Sequence, residues 1–303
     1  MPPQLLNRAG PRSVALETTL LVHGVPRGEG PGLAERLAEI VREQGAEPAF
    51  VGVYAGVPTV GLTGAELAEI LAADAVPKLN TANLGVALHR GTHGATTVST
   101  TLELAAAAGV RVFATGGIGG VHYGYHMLPD VSSDLHALAR YPVAVVASGV
   151  KSILDVPATR EVLETLGVPV VGYGTDRFPA FYMRDGGASV DARFDSEEEL
   201  AAFLAAELPR RPCAVLVCNP VPCDLEIARA DWTRWMAAAR KRAAGAGGRS
   251  LTPIMLEALH EVSEGATLRA NLGLVESNAR LAAALAARMA LPGKVLGTWA
   301  TPV

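Results

Sequence analysis

The feature that most constrains this chain is the alternation of two patterns along its length. Short apolar, β-branched runs ("SVALETTLLV", "PAFVGVYAG", "VRVFATG", "VAVVASG", "VPVVGYG", "CAVLVCNP") are separated by segments of helical period such as "GLAERLAEIVREQG", "GAELAEILAAD", "TREVLETLG" and "SEEELAAFLAAEL". A strand that is apolar at nearly every position is covered on both faces, and strands that alternate with helices join most simply in parallel. The pattern predicts an α/β fold: a three-layer α/β/α sandwich with a mostly parallel central sheet. "NARLAAALAARMA", near the carboxy end, is apolar enough to dock and predicts a helical carboxy-terminal layer. The loose segment "AAGAGGRSLTP" leads into the helical "TPIMLEALHEV", so the chain reads as one domain, 1–303.

Composition enters through what it excludes. A net charge of -4 without basic runs gives no electrostatic footprint for a nucleic-acid polymer. No membrane-length apolar run occurs, and "MPPQLLNRAGPRS" has no apolar core of a signal peptide, so a cytoplasmic protein is expected. Cys213, Cys218 and Cys223 have the spacing of neither a zinc ribbon nor a redox pair and are expected to be free thiols.

Lysine is nearly absent. The chain has 26 basic residues, of which only Lys78, Lys151, Lys241 and Lys294 are lysine. Lys241 falls on a charged helical face and Lys294 in the carboxy-terminal tail, where solvated roles suffice. Lys78 and Lys151 need another account. Lys151 directly follows the apolar run "VAVVASGV", and ligands of open α/β sheets gather beyond the carboxyl ends of strands. A neutral lysine amine there can form a Schiff base with a sugar aldehyde, and a second cation such as Lys78 favours the neutral form. The competing reading pairs Lys151 with Asp155 or with nearby carbonyls.

Other strand ends carry unusual residues as well. Glu17 interrupts "VALETTLLV" and is either an outward-facing residue of an edge strand or a buried acid–base carboxyl. "TGGIGG", with Thr115, Gly116 and Gly117, is either a phosphate cradle or a tight turn that needs positive φ. Asp130 and Asp134 flank "VSSD", where helix capping competes with water-mediated binding of a hard cation.

Taken together, "VALETTLLVHGVP", "GATTVSTTLELAAAAGVRVFATGGIGGVH", "SSDLHALAR", "VASGVKSILD", "GVPVVGYGTDRFPAFYMR" and "GATLRANLGLVESNARLA" make the chain resemble the pseudouridine-5'-phosphate glycosidase family, which includes the indigoidine synthase A proteins. The resemblance implies a carbon–carbon glycosidic reaction in which ribose 5-phosphate and uracil are interconverted with pseudouridine 5'-phosphate. It implies a divalent cofactor, usually Mn2+, and a homotrimer. By motif, Lys151 matches the Schiff-base lysine, Glu17 the acid–base carboxylate, Lys78 the second lysine, Asp134 the metal-associated aspartate and Asn271 the asparagine facing the base. Thr97, Thr115, Gly116, Gly117 and His122 match the phosphate region.

The chain departs from the family pattern at Tyr123, where arginine is usual, in the bulkier "GYHMLP" that follows, in "RGEGPG" after "HGVP", and at Ser277. These departures leave the acceptor open between uracil and an aromatic, polyketide-like natural product joined by a C-ribosylating branch. Tyr123, Tyr125 and Met127 decide for the second if they line an acceptor pocket. A non-catalytic sugar-phosphate binding protein is the reading of another class, and it has no need of an imine-forming lysine.

Overall fold

The computed structural model describes residues 4–127, 129–242 and 258–289. Lys294 and all of "AAGAGGRSLTPIMLE" lie outside them. An eleven-stranded sheet organises the chain. Its main path runs Leu6–Asn7, Val57–Val60, Glu47–Tyr54, Ser13–Glu17, Val112–Ala114, Ala144–Ala147, Val215–Cys218, Val170–Tyr173 and Ala192–Phe194. From Glu47–Tyr54 to Ala192–Phe194 every neighbouring pair is parallel. Val57–Val60 and Gly94–Thr96 both run antiparallel to Glu47–Tyr54, and Lys78–Leu79 pairs in parallel with Gly94–Thr96.

The physical reason for the parallel centre is burial. Val112–Ala114, Ala144–Ala147 and Val215–Cys218 are buried at every position, so both faces of these strands need cover. One face is covered by the carboxy-terminal helix Ala266–Met289, flanked by Glu29–Glu43 and Glu197–Glu207, and the other by Val98–Ala107 with Ser133–Leu138. The three-layer sandwich and its helical carboxy-terminal layer are therefore present. Among the described residues, no helix is long and apolar enough to cross a membrane.

One expected strand is shorter than its sequence suggests. "SVALETTLLV" stops being a strand at Glu17, and Thr18–His23 is a helix. β-branched threonines favour strands, but here tertiary bonds override the propensity. Thr18 Oγ1 donates to the Val51 carbonyl at 2.8 Å and accepts the Thr96 amide at 3.0 Å. Glu17 thus ends a central strand, paired on both sides, and the edge-strand reading does not hold.

Candidate active site

The strand ends converge. Glu17 and Thr115 follow adjacent strands, Lys151 follows the next one, and all three line one cleft together with Lys78, Gly116, Gly117 and Asn271. The Lys151 loop is set by a glycine that no other residue could replace. Gly149 has φ +73°, and a Cβ there would lie 1.9 Å from the Pro179 carbonyl oxygen. The loop is then tied on both sides: the Lys151 amide donates to Ile118 O at 3.1 Å, and Ser152 Oγ donates to Ala180 O while accepting the Tyr182 amide.

Neither Lys151 nor Lys78 forms an ion pair or a side-chain hydrogen bond among the described residues. The alternative partner Asp155 instead caps the Val156–Thr165 helix, accepting the Ala158 amide at 3.0 Å. Lys78 keeps one side open to solvent, yet the cleft desolvates its amine, and with the charge of Lys151 this lowers its pKa below the usual lysine value. Glu17 is 7% exposed and accepts a short hydrogen bond from Thr115 Oγ1. Burial pushes its carboxyl up, against the pull of Lys151, Thr115 and Lys78, while Asp134 adds to the rise. A carboxyl raised by burial and the lowered Lys78 amine, lining one cleft with Lys151, are groups suited to the proton transfers of imine chemistry.

The glycine loop is not the tight turn that its sequence offers as one reading. Gly116, Gly117, Gly119 and Gly120 are absent from the positive-φ positions. They are glycines because neighbours approach closely: a Cβ on Gly117 would meet the Phe181 ring at 2.6 Å, one on Gly119 Ser132 Oγ at 2.2 Å, and one on Gly120 Thr159 Oγ1 at 2.3 Å. Part of the loop's amide set is already used, since Ile118 N bonds Gly149 O and Gly119 N bonds Asp134. The amides of Gly116 and Gly117 find no acceptor among the described residues and lie at the cleft. Two such donors suit a phosphate or an oxyanion.

Three expected site residues stand apart from the cleft lining. Thr97 precedes the Val98–Ala107 helix and donates to Leu79 O at 3.0 Å, next to the Lys78 strand. His122 lies 3.9 Å from the exposed carboxylate of Asp130. Asp134 is buried, and each of its oxygens takes a backbone amide, Ser99 at 3.0 Å and Gly119 at 2.8 Å. It therefore ties the Val98–Ala107 helix to the glycine loop. No cluster of three or more His, Cys, Asp or Glu side chains suited to a metal occurs among the described residues. This donor set does not fit a dehydrated metal cage. It fits a hard cation that keeps most of its water, held against the open carboxylate of Asp130 or a remaining lone pair of Asp134.

The opposite wall is made by the helical layer and a hairpin. Phe181 and Tyr182 form the two-residue tip between Arg177–Ala180 and Met183–Ser189. Phe181 has φ +58°, a conformation held only where its surroundings fix it, and its ring packs on Gly117. Tyr182 stacks edge-on to Phe181 and tilts against Trp232. Leu259, His260 and Asn271 complete this wall. Asn271 Nδ2 donates to Gly24 O at 3.0 Å, leaving Oδ1 buried without a partner among the described residues. An orphaned acceptor inside a cleft calls for an N–H or O–H donor from a ligand. Tyr123, Tyr125 and Met127 are 59%, 48% and 82% exposed and take no part in either wall.

Beneath both walls lies a polar hub that the sequence did not reveal. Asn278, fully buried, donates to Thr115 O at 2.8 Å and Ser148 Oγ at 3.1 Å and accepts from Asn219 Nδ2 at 2.9 Å. Asn219 also donates to Ser277 Oγ at 3.0 Å, so the serine at that departure position keeps an acceptor in the hub. The aromatic run in "FPAFYM" was the one available signal for the hairpin tip. Trp232, His260 and Asn278 carry no local signal.

Comparison with known proteins adds a consistent set of relatives. The profile of a family described as indigoidine synthase A like protein matches residues 6–288. A pseudouridine-5'-phosphate glycosidase of Jannaschia sp. is 46% identical over 92% of this chain and 93% of its own length. Another from Symbiobacterium thermophilum is 47% identical over 90% of this chain and 91% of its own. Among solved structures, an indigoidine synthase A-like protein from Thermotoga maritima superposes with a TM-score of 0.88 at 36% identity, covering 96% of this chain and 98% of that one. The prealnumycin C-glycosynthase AlnA in complex with ribulose 5-phosphate superposes with a TM-score of 0.84 at 34% identity, covering 92% of this chain and 91% of that one.

Proposed function

From the premise that this chain belongs to the indigoidine synthase A like family, we propose that it is a pseudouridine-5'-phosphate glycosidase working through an imine at Lys151. The chain is a carbon–carbon glycosidic lyase or synthase that joins or splits ribose 5-phosphate and a carbon acceptor. The observation that carries the imine is the convergence in one cleft of Lys151, Lys78 and the buried Glu17 carboxyl, whose pKa burial raises, with neither lysine side chain paired among the described residues. A glycosidic C–C bond has no heteroatom leaving group to protonate, so two-carboxylate glycosidase chemistry does not serve.

In the joining direction, the Lys151 amine adds to C1 of the open-chain aldehyde and water leaves, giving the imine. C5 of uracil then adds to that carbon, and its displaced proton passes to Glu17. Closure of the sugar hydroxyl on C1 expels the lysine amine, so that ribose 5-phosphate and uracil yield pseudouridine 5'-phosphate and water. The splitting direction reverses these steps with Glu17 as the acid. Arginine cannot replace Lys151, because guanidinium has no accessible neutral form to attack a carbonyl. Lys78 and the amides of Gly116 and Gly117 supply positive charge and donors for the phosphate and sugar oxygens, with Thr97 and His122 farther out. Asp130 or Asp134 would hold a divalent cation, taken as Mn2+, through water, and the cation would supply charge neutralisation for the phosphate.

Uracil is the preferred acceptor because the unpartnered Asn271 oxygen asks for an N–H donor and the aromatic loop residues stay out of the cleft. The structural likeness to a C-glycosynthase keeps an aromatic acceptor as the second reading. We further infer a homotrimer in the cytoplasm. Free Cys213, Cys218 and Cys223 suit a reducing compartment, and the exposed Tyr123, Tyr125, Met127 and Val131 offer apolar surface for a subunit contact. The test of the function is purified protein with ribose 5-phosphate, manganese and uracil, read by mass spectrometry. Pseudouridine 5'-phosphate is expected, absent with Lys151→Ala. A wild-type protein that forms the imine but no product contradicts uracil as the acceptor.

A further inference from the structure

The two walls of the cleft have different chemistry. Sheet ends bring the charged groups, whereas the helical layer and the hairpin bring Tyr182, Trp232, Leu259, His260 and Asn271. Among the described residues of the second wall, Asn271 and His260 are the polar side chains beside the aromatic Tyr182 and Trp232. Asn271 Oδ1 is an acceptor with no partner, so a ligand edge that meets it presents a donor. His260 is the other.

His260 is anchored on its far side. Its Nδ1 lies 2.8 Å from Thr267 Oγ1, and Thr267 is fully buried in the carboxy-terminal helix and does not line the cleft. Ser263 Oγ accepts the Thr267 amide at 3.3 Å and lies 2.9 Å from Thr267 Oγ1. Ser263 Oγ also donates to His260 O at 3.3 Å, so the network closes on the backbone of the same residue and holds the Nδ1 edge of the ring. Nε2, the ring nitrogen away from Thr267, has no hydrogen-bond partner among the described residues, and His260 lines the cleft. Burial lowers the imidazole pKa, which keeps the ring neutral near physiological pH.

We propose that His260 is a specificity-determining residue for the carbon acceptor, hydrogen-bonding through Nε2 to the polar edge of a planar heterocycle whose N–H is taken by Asn271 Oδ1. The relay Ser263–Thr267–His260 holds the imidazole in place, and Tyr182 and Trp232, packed on each other, supply the apolar surface against which such a ring lies. The acceptor class that fits is a flat ring with adjacent N–H and C=O groups, as in uracil, rather than an all-carbon aromatic. This inference rests on the proposed glycosidase reaction, and its test separates the two.

The test compares wild type with His260→Ala and His260→Gln in two measurements: the borohydride-trapped adduct with ribose 5-phosphate, and the KM for uracil at saturating ribose 5-phosphate with manganese. The proposal expects an undiminished adduct in all three proteins, a KM for uracil raised about tenfold in His260→Ala, and recovery to within about threefold in His260→Gln, which restores a hydrogen-bonding group. An unchanged KM in His260→Ala with the adduct intact overturns the proposal. So does a fall confined to kcat, which would assign the ring to the chemical step, or a glutamine variant no better than alanine. Absence of the adduct from wild type overturns the glycosidase reading itself. Should His260→Ala not fold, Thr267→Val, which removes the relay at nearly constant shape, is expected to raise the KM about fivefold, and an unchanged KM there overturns the proposal.

Discussion

The sheet wall and the helix wall of the cleft differ in how they are built and in what a mutation in each should do. The sheet wall gathers Glu17, Thr115, Gly116, Gly117 and Lys151 from the ends of three adjacent parallel strands. The helix wall takes Trp232, Leu259, His260 and Asn271 from the last third of the chain and borrows Tyr182 from a hairpin. The first wall holds the ionisable Glu17 and Lys151, with burial raising the Glu17 carboxyl, and the second holds hydrogen-bonding side chains on an apolar surface. Chemistry is expected to fail through the first and selectivity through the second.

The largest effect is expected at Lys151. Lys151→Ala and Lys151→Arg should both lower turnover by at least about 10³-fold, since neither supplies a neutral amine, and product formation followed by mass spectrometry checks this. Glu17→Gln comes next, with a loss on the order of 10² to 10⁴ in kcat. Its pH dependence has a definite sign. The carboxyl is raised by burial, so its acid form persists to higher pH than that of an ordinary glutamate, and splitting activity falls as pH rises through that value. The same shift makes the folded protein hold this proton more tightly than the unfolded chain. Its contribution to stability is therefore present below the ordinary carboxylate pKa and lost as pH rises through the raised one. Thermal melts of Glu17→Gln should match wild type at about pH 4 and exceed it at about pH 8.

On the helix wall, Asn271→Leu should raise the KM for uracil roughly 10- to 100-fold while leaving the ribose 5-phosphate adduct intact. A collapse of the adduct in that variant would break the division between the walls. Asn278 joins them from below, and Asn278→Ala should destabilise the fold by about 2 kcal/mol in denaturant titrations, because Thr115 O and the Asn219 amide lose a buried partner. The smallest effect is expected outside both walls, where Tyr123→Ser should change kcat/KM for uracil by less than about twofold. A larger change would place the loop against the acceptor and favour the aromatic reading.

The same division explains what could be read in the sequence. Lys151, Glu17 and Thr115 announce themselves because a polar residue directly after an apolar run marks a strand end, and the sheet gathers those ends in space. The parallel core was legible for the same reason, as runs such as "VAVVASG" leave few other folds. Thr18 and Thr19 were misleading: their β-branched character extends the apparent strand, while side-chain bonds of Thr18 to the neighbouring strands turn the chain into a helix. The glycine loop was legible as important, but the cause is close packing by Phe181, Ser132 and Thr159 rather than backbone conformation. His260 and Asn278 were out of reach, because each gains its place from contacts over long sequence separations or from a tertiary cleft with no local pattern.

The central claim is that Lys151 forms the covalent bond to the sugar. Wild-type protein incubated with ribose 5-phosphate and borohydride, then digested and mapped by mass spectrometry, tests it most directly. The account predicts a reduced ribose 5-phosphate adduct on the peptide that contains Lys151 and none on the peptide that contains Lys78. An adduct on Lys78 alone, or no adduct on either, would contradict it.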